Sequence, residues 1–205
     1  MPLSSGLLSN STSTVTKQLE LRFVSNVPHK IAEASDILAS RGITVVPVPM
    51  KIEELQTKDT KRLVHDKLLK AFERIGRPLF VEHNGLFIGE AGDLPGGLTQ
   101  VFWDSLEADR FARLFGSRLT IPARAIARCF IAYCDGKKIF DFGAEMSGQI
   151  TEVPRGSQEL QWDCVFQPDG ESETFAEMTA RKGEIAMRRT ALDRLADHLL
   201  EYRPS

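Results

Sequence analysis

The sequence predicts an α/β protein built on a mixed β-sheet with flanking helices. Three observations carry that prediction. Apolar strands alternate with amphipathic helices through about the first third of the chain. Two long strand-like runs meet at Asp135-Gly136, a tight-hairpin signal, and the last ~20 residues carry a helical apolar stripe. The first pattern calls for parallel strands joined by crossover helices, and the second for antiparallel pairing.

Taken in order, "LRFVSN" (21–26) reads as a buried strand. "PHKIAEASDILASRG" follows as a helix with Pro28 in its first turn, Ile31, Ala34 and Leu38 on one face, and Gly42 as its stop. "ITVVPVP" (43–49) is a second strand, and Val64, Leu68, Phe72 and Ile75 form the apolar stripe of a helix over about 58–75. A short strand, Leu79 to Val81, then delivers Glu82, His83 and Asn84 into a glycine-rich loop. A helix over about 98–115 leads into the hairpin "ARAIARCFIAYCDGKKIFDFGAEMSGQI". "WDCVFQ" reads as a further strand ending in the turn "PDG", and a single helix over about 180–201 carries Ile185, Leu192, Leu195 and Leu199.

The 205 residues, 42% of them apolar, suffice for one sizeable core, and no linker divides the chain. We expect a flexible Ser/Thr-rich leader over 1–19 and a single domain over 20–205. With 26 basic and 28 acidic residues and no long run of either sign, neither a nucleic-acid groove nor a membrane surface is indicated. Cys129, Cys134 and Cys164 form no CxxC pair and leave an odd count. They read as core thiols of a cytoplasmic protein.

Several residues can carry chemistry, and each also has a plainer reading. Lys30 stands in the first turn of a helix that follows a strand, where free N–H groups favour an anion; it is otherwise a solvated lysine. Glu54 and Glu82 flank one helix and can reach one rim of the sheet, as magnesium ligands or as ordinary surface carboxylates. Arg181, Lys182, Arg188 and Arg189 crowd the start of the last helix against its dipole, a conflict that an anionic ligand would resolve. Trp162 and Asp163 can offer an aromatic face and an acceptor to a base, or Trp162 can be core. The four histidines have no zinc-ligand spacing.

In order, "FVSNVPHK", "EELQT", Lys67, "VEHNGL", "LPGG", "PRGSQELQWDCVF" and "TFAEM" followed by Lys182 resemble the inosine triphosphate pyrophosphatase family, over roughly residues 21–201. The resemblance implies a curved mixed sheet whose two lobes flank a central nucleotide cleft, in a homodimer. It implies a magnesium-dependent cut between the α- and β-phosphates of ITP, dITP or XTP. By position, Ser25, Asn26, Lys30, Lys67, Trp162, Asp163, Lys182 and Arg188 would bind nucleotide, and Glu54 and Glu82 would hold magnesium.

The departures fall in the same region. Where the family places a water-activating aspartate after its strand-end acid, this chain has His83. The family's Thr-Gly-Asn-x-x-Lys loop is here Ser25-Asn26-Val27-Pro28-His29-Lys30. Its stacking aromatic corresponds to Leu160, and its Ser-His-Arg run has become Ala186-Met187-Arg188. An imidazole can act as a base near neutral pH. It cannot supply the anionic oxygen that bridges metal and water. The expectation is therefore a protein that binds dITP or ITP with impaired catalysis, as a sensor or regulatory subunit, with an active pyrophosphatase as the alternative. This resembles the arrangement of Kongming-type antiphage systems, which implies an effector partner, a sirtuin-like NADase.

Overall fold

The computed structural model describes residues 19–116 and 123–202. Most of the expected leader, residues 1–18, lies outside them. The chain begins with β1 (Leu19–Val24), α1 (Pro28–Ala39), β2 (Ile43–Val48), α2 (Thr60–Ile75) and β3 (Leu79–Ile88). Local chemistry sets these boundaries. Pro28 opens α1, and Asp59 caps α2 by accepting from the Arg62 amide at 3.1 Å. Gly76, in the left-handed region at φ 62°, closes α2 with its N–H on the Phe72 carbonyl.

After β3 come β4 (Leu94–Pro95), α3 (Thr99–Phe115), β5 (Ala123–Cys134), β6 (Ile139–Ile150) and β7 (Phe166–Pro168). The chain finishes with α4 (Phe175–Met178), α5 (Lys182–Ile185) and α6 (Met187–Glu201). The strands form one open seven-stranded sheet in the order β2-β1-β3-β5-β6-β7, with β4 on β3. β1 runs parallel to β2 and β3, and the other pairs are antiparallel, so the expected mixed sheet is present. Each face has its own core. Ala34, Ile37 and Leu38 of α1 join Leu192 and Leu195 of α6 over Phe23 and Phe80, while Leu63, Val64 and Leu68 of α2 cover Val24, Leu79 and Val81. The three cysteines are buried and free, as read from their spacing. Among the described residues no helix is long and apolar enough to cross a membrane.

Three elements differ from the sequence reading. The strand expected to stop at Val81 continues to Ile88, so His83 and Asn84 sit on β3 and not in a loop. Gly85 belongs to that strand, paired with Arg128, and has no room for a side chain because an added Cβ would lie 2.6 Å from the Gly96 carbonyl oxygen. "WDCVFQ" is not one strand: Gln161–Cys164 is a 3-10 turn, and only Phe166–Pro168 pairs with β6. The single terminal helix is broken at Ala186, whose ψ of 144° separates α5 from α6.

The strand order positions the cleft. β2 lies on one side of β1 and β3 on the other, the topological switch at which α/β sheets open a crevice beyond their strand ends. Here the opening is wide, because β1 and β3 pair only through Arg22–Leu79 and Phe23–Phe80. Beyond Phe80, β3 keeps β5 as partner and leaves β1. The "LPGG" segment supports this wall: Thr99 Oγ1 accepts from the Leu86 amide at 2.9 Å and donates to the Gly96 carbonyl at 2.6 Å. Gly85→Ala forces these backbones apart and is expected to cost about 1–3 kcal/mol, read as a lowered thermal midpoint; an unchanged midpoint would refute the close-approach argument.

Candidate functional site

Ser25 to Lys30 leave β1 and turn into α1. Ser25 is buried, and its Oγ accepts from the Val27 amide at 3.2 Å, while Asn26 is exposed. No side chain caps α1, so its first-turn amides, with Lys30 among them, face the opening. Lys51–Glu54 follow β2, Lys67 projects from α2, and Glu82–Asn84 come from β3. Gln161–Asp163, Lys182 and Met187–Arg188 complete a cavity of about 330 Å³. Of the candidate residues named from the sequence, Ser25, Asn26, Lys30, Glu54, Lys67, Glu82, His83, Trp162, Asp163, Lys182 and Arg188 line it, whereas Arg181 and Arg189 do not.

Strand alternation divides these groups between the two faces of the sheet. On the α1/α6 side, Glu82 is 3% exposed and takes the Lys30 ammonium at 3.1 Å on Oε1. Arg188 Nε lies 3.1 and 3.2 Å from its two oxygens. Arg188 also pairs with Glu33 and, with the Asn84 amide in its satisfied orientation, donates to Asn84. Burial alone would raise the Glu82 pKa, but Arg188 and Lys30 override it and hold the carboxyl down at about 2. Glu82 therefore serves as the counter-ion of two cations.

On the α2 side, Lys67 Nζ contacts Glu54 Oε1 at 2.6 Å, and His83 Nδ1 is 3.8 Å from Glu54 Oε2. His83 is 6% exposed, and its Nε2 is buried with no partner. Burial, reinforced by Lys30 and Lys67 and only partly offset by Glu54, pushes its pKa down to about 4, so the imidazole is neutral at physiological pH. At the far wall, Lys182 pairs with the buried Asp163. Trp162 packs against Phe166 and Phe175, with centroids 6.1 and 6.3 Å away, so it is core and cleft wall at once. Leu160, 38% exposed, stands at the rim.

Four of the cleft cations, Lys30, Lys67, Lys182 and Arg188, thus face four acids, Glu82, Glu54, Asp163 and Glu33, while Lys51 lines the cleft without an ion pair among the described residues. The two carboxylates expected to hold magnesium are not equivalent. Both oxygens of Glu82 are engaged by cations, whereas Glu54 is part-exposed and has one oxygen free of short contacts. Among the described residues no three His, Cys, Asp or Glu groups converge as a metal cluster. Arg181, expected to crowd the cleft, turns away to Glu171 and Glu173. The sequence reading missed Glu33 and Asn84. Glu33 lies one helical turn beyond Lys30 and Asn84 two strand positions beyond Glu82, spacings that put each on its neighbour's face.

A family model described as the Ham1 family matches residues 21–198. The dITP/XTP pyrophosphatase of Methanopyrus kandleri is 32% identical over 170 residues, covering 82% of this chain and 89% of that one. The inosine triphosphate pyrophosphatase of Kluyveromyces lactis is 34% identical over 188 residues, covering 88% and 95%. Among solved structures, a Ham1 protein from Coxiella burnetii matches with a TM-score of 0.75 at 22% identity, over 89% of this chain and 99% of that one. The Staphylococcus aureus Ham1 protein matches at 0.69 and 18%, over 90% and 100%. These structures share the fold, an open sheet with flanking helices, and the sequence matches carry the relationship further: the chain belongs to the Ham1 family.

Proposed function

We propose that this protein binds a keto-purine nucleoside triphosphate, dITP or ITP, in the cleft and holds it largely uncut, as a nucleotide sensor or regulatory subunit. The supporting observation is His83, a neutral, buried imidazole next to Glu82 on β3, at the position where the family resemblance calls for a water-activating acid. The names of the relatives, dITP/XTP and inosine triphosphate pyrophosphatases, supply the ligand class. In this reading Lys30, Lys67 and the first-turn amides of α1 bind the phosphates, with Ser25 and Asn26 shaping that loop. Trp162, Asp163, Lys182 and Arg188 form the base end.

Glu54 fits magnesium, which takes oxygen ligands and is commonly held by one or two carboxylates together with substrate phosphates. Glu82 fits less well, since its oxygens already serve Lys30 and Arg188. The chemistry a bound magnesium ion supplies is neutralisation of the phosphate oxygens. The sensor role extends, on the resemblance to Kongming-type systems alone, to a cytoplasmic homodimer that signals to a sirtuin-like NADase subunit.

A second reading, a working pyrophosphatase, has one observation in its favour. His83 lines the cleft with Nδ1 3.8 Å from Glu54 Oε2, and a neutral imidazole there can accept a proton from a water held between them. A base with a pKa near 4 is weak at neutral pH, which is why we rank this reading second.

Three outcomes test the proposal. Calorimetry with dITP or ITP and magnesium should show binding, and chromatography should recover the ligand intact, with turnover well below about 1 per second. His83→Asp should then raise pyrophosphate release above the parent; a parent that already turns over and loses activity in this variant makes His83 a functioning base. Lys182→Ala should weaken binding by roughly 1.5–3 kcal/mol, the worth of a charge-assisted hydrogen bond, and an unchanged affinity would place the base end elsewhere.

A fourth outcome concerns pH. A histidine whose native pKa lies below its ordinary 6.5 leaves the unfolded chain binding more protons between those values, so stability falls as pH drops from 6.5 toward 4. Denaturant titrations should show His83→Asn losing about 1–3 kcal/mol less than the parent across that window. Parallel curves would mean that the native pKa of His83 does not lie below its unfolded value.

A further inference from the structure

A second groove of about 740 Å³ lies outside the nucleotide cleft and shares no lining residue with it. Its lining includes Lys58 and Thr60 at the start of α2, Phe130 of β5, Gly143 of β6, and Thr190 and Arg194 of α6. Its charges are unevenly engaged. Arg128 lies 4.1 Å over the Phe87 ring and binds Glu145 at 2.6 Å, Lys61 binds Asp141 at 2.8 Å, and Asp59 is committed to capping Arg62. Among the described residues neither Lys58 nor Arg194 has an ion-pair partner, and Arg194 donates only to the Gly143 carbonyl.

Three features of this groove have no role within the fold. Thr60, 5% exposed, keeps its Oγ1 buried with no hydrogen-bond partner. It stands at the first position of a 16-residue helix, where the amides of Thr60 and Lys61 have no intrahelical acceptor and Asp59 satisfies only the next two, Arg62 and Leu63. Lys61 and Arg62 place positive charge in that first turn, against the helix dipole. Gly143 has no steric reason to be glycine. A Cβ there would meet the Cys129 carbonyl at 3.4 Å and Phe130 at 3.7 Å, ordinary contacts, and its φ is not in the left-handed region. What the missing side chain does is leave the groove floor open beside Arg194.

We propose that this groove is a second ligand site for a phosphate-type oxyanion, seated on the α2 N-terminus. The Thr60 and Lys61 amides and the Thr60 hydroxyl donate to it, and Lys58 and Arg194 neutralise it. Phe130 offers an apolar flank, and Arg128 lies over the buried Phe87 ring, so the chemistry suits a small phosphorylated molecule better than a bare ion.

The test is a titration of the full chain with inorganic phosphate, followed by the amide resonances of Thr60, Lys61 and Gly143. None of the three lines the nucleotide cleft, so the result stands whatever the cleft binds. Saturable shifts at these amides are expected. Lys58→Gln and Arg194→Gln should each weaken phosphate at least about threefold, and Gly143→Val should block it. Thr60→Val should weaken phosphate while leaving thermal stability equal or higher, because it removes a hydroxyl the fold leaves unpartnered. Shifts that never saturate, or variants that bind phosphate like the parent, overturn the site. If Gly143→Val fails to fold, the Lys58 and Arg194 variants decide alone.

Discussion

The cleft depends on one buried carboxylate. Glu82 sits where β3 leaves β1, and it fixes Lys30 of α1 and Arg188 of α6 by ion pairs that water barely reaches. An isolated charge at that depth would be costly, and two cations at hydrogen-bond distance make it tolerable. The arrangement ties together three elements far apart in sequence, and with Asn84 and Glu33 it leaves the Arg188 guanidinium little freedom to turn. Arg188 is therefore a structural keystone as well as a lining residue of the cleft. Its removal would strand Glu82 in the interior, and binding and stability would change together.

The opposite face works differently. Glu54 lies on the segment after β2, part-exposed, with Lys67 on one oxygen and the neutral His83 beside the other. The two carboxylates that sequence position treats as a pair thus have different tasks. Glu82 holds the frame and Glu54 faces the ligand space. On the proposed reading, a metal ion brought in with a triphosphate would meet Glu54 first, since one of its oxygens has no short contact.

Much of this was legible in the sequence, and what was missed has physical causes. The βαβ beginning, the hairpin at Asp135-Gly136 and the stripe of α2 are local patterns, and the structure repeats them. Most cleft residues named from their position line the cavity, because strand ends and first helical turns are where an α/β sheet presents side chains, while Arg181 and Arg189 turn to acids outside it. The end of β3 was misplaced because Gly85 reads locally as a loop, whereas its cause is the approach of Gly96, visible only in three dimensions. Ala186 gives no local warning of a helix break, since alanine is the strongest helix former. Trp162 and Asp163 looked like strand residues. They sit in a turn opened by Gln161 at a φ of 57°, with Asp163 drawn to Lys182 nineteen positions away.

The pairing of four cleft cations with four acids has its own consequence for how an anion would enter. A cleft of bare lysines would attract a triphosphate by long-range field, and salt would weaken that attraction steeply. Here Lys30, Lys67, Lys182 and Arg188 each already lie against a carboxylate, and among the described residues only the exposed Lys51 lines the cleft as a lysine without such a partner. An ammonium has three donors, so a phosphate oxygen can join an existing pair rather than break it. The pull on a distant anion is then weak, because most of the positive field is cancelled at its source, and the dependence of that pull on bulk salt is shallow.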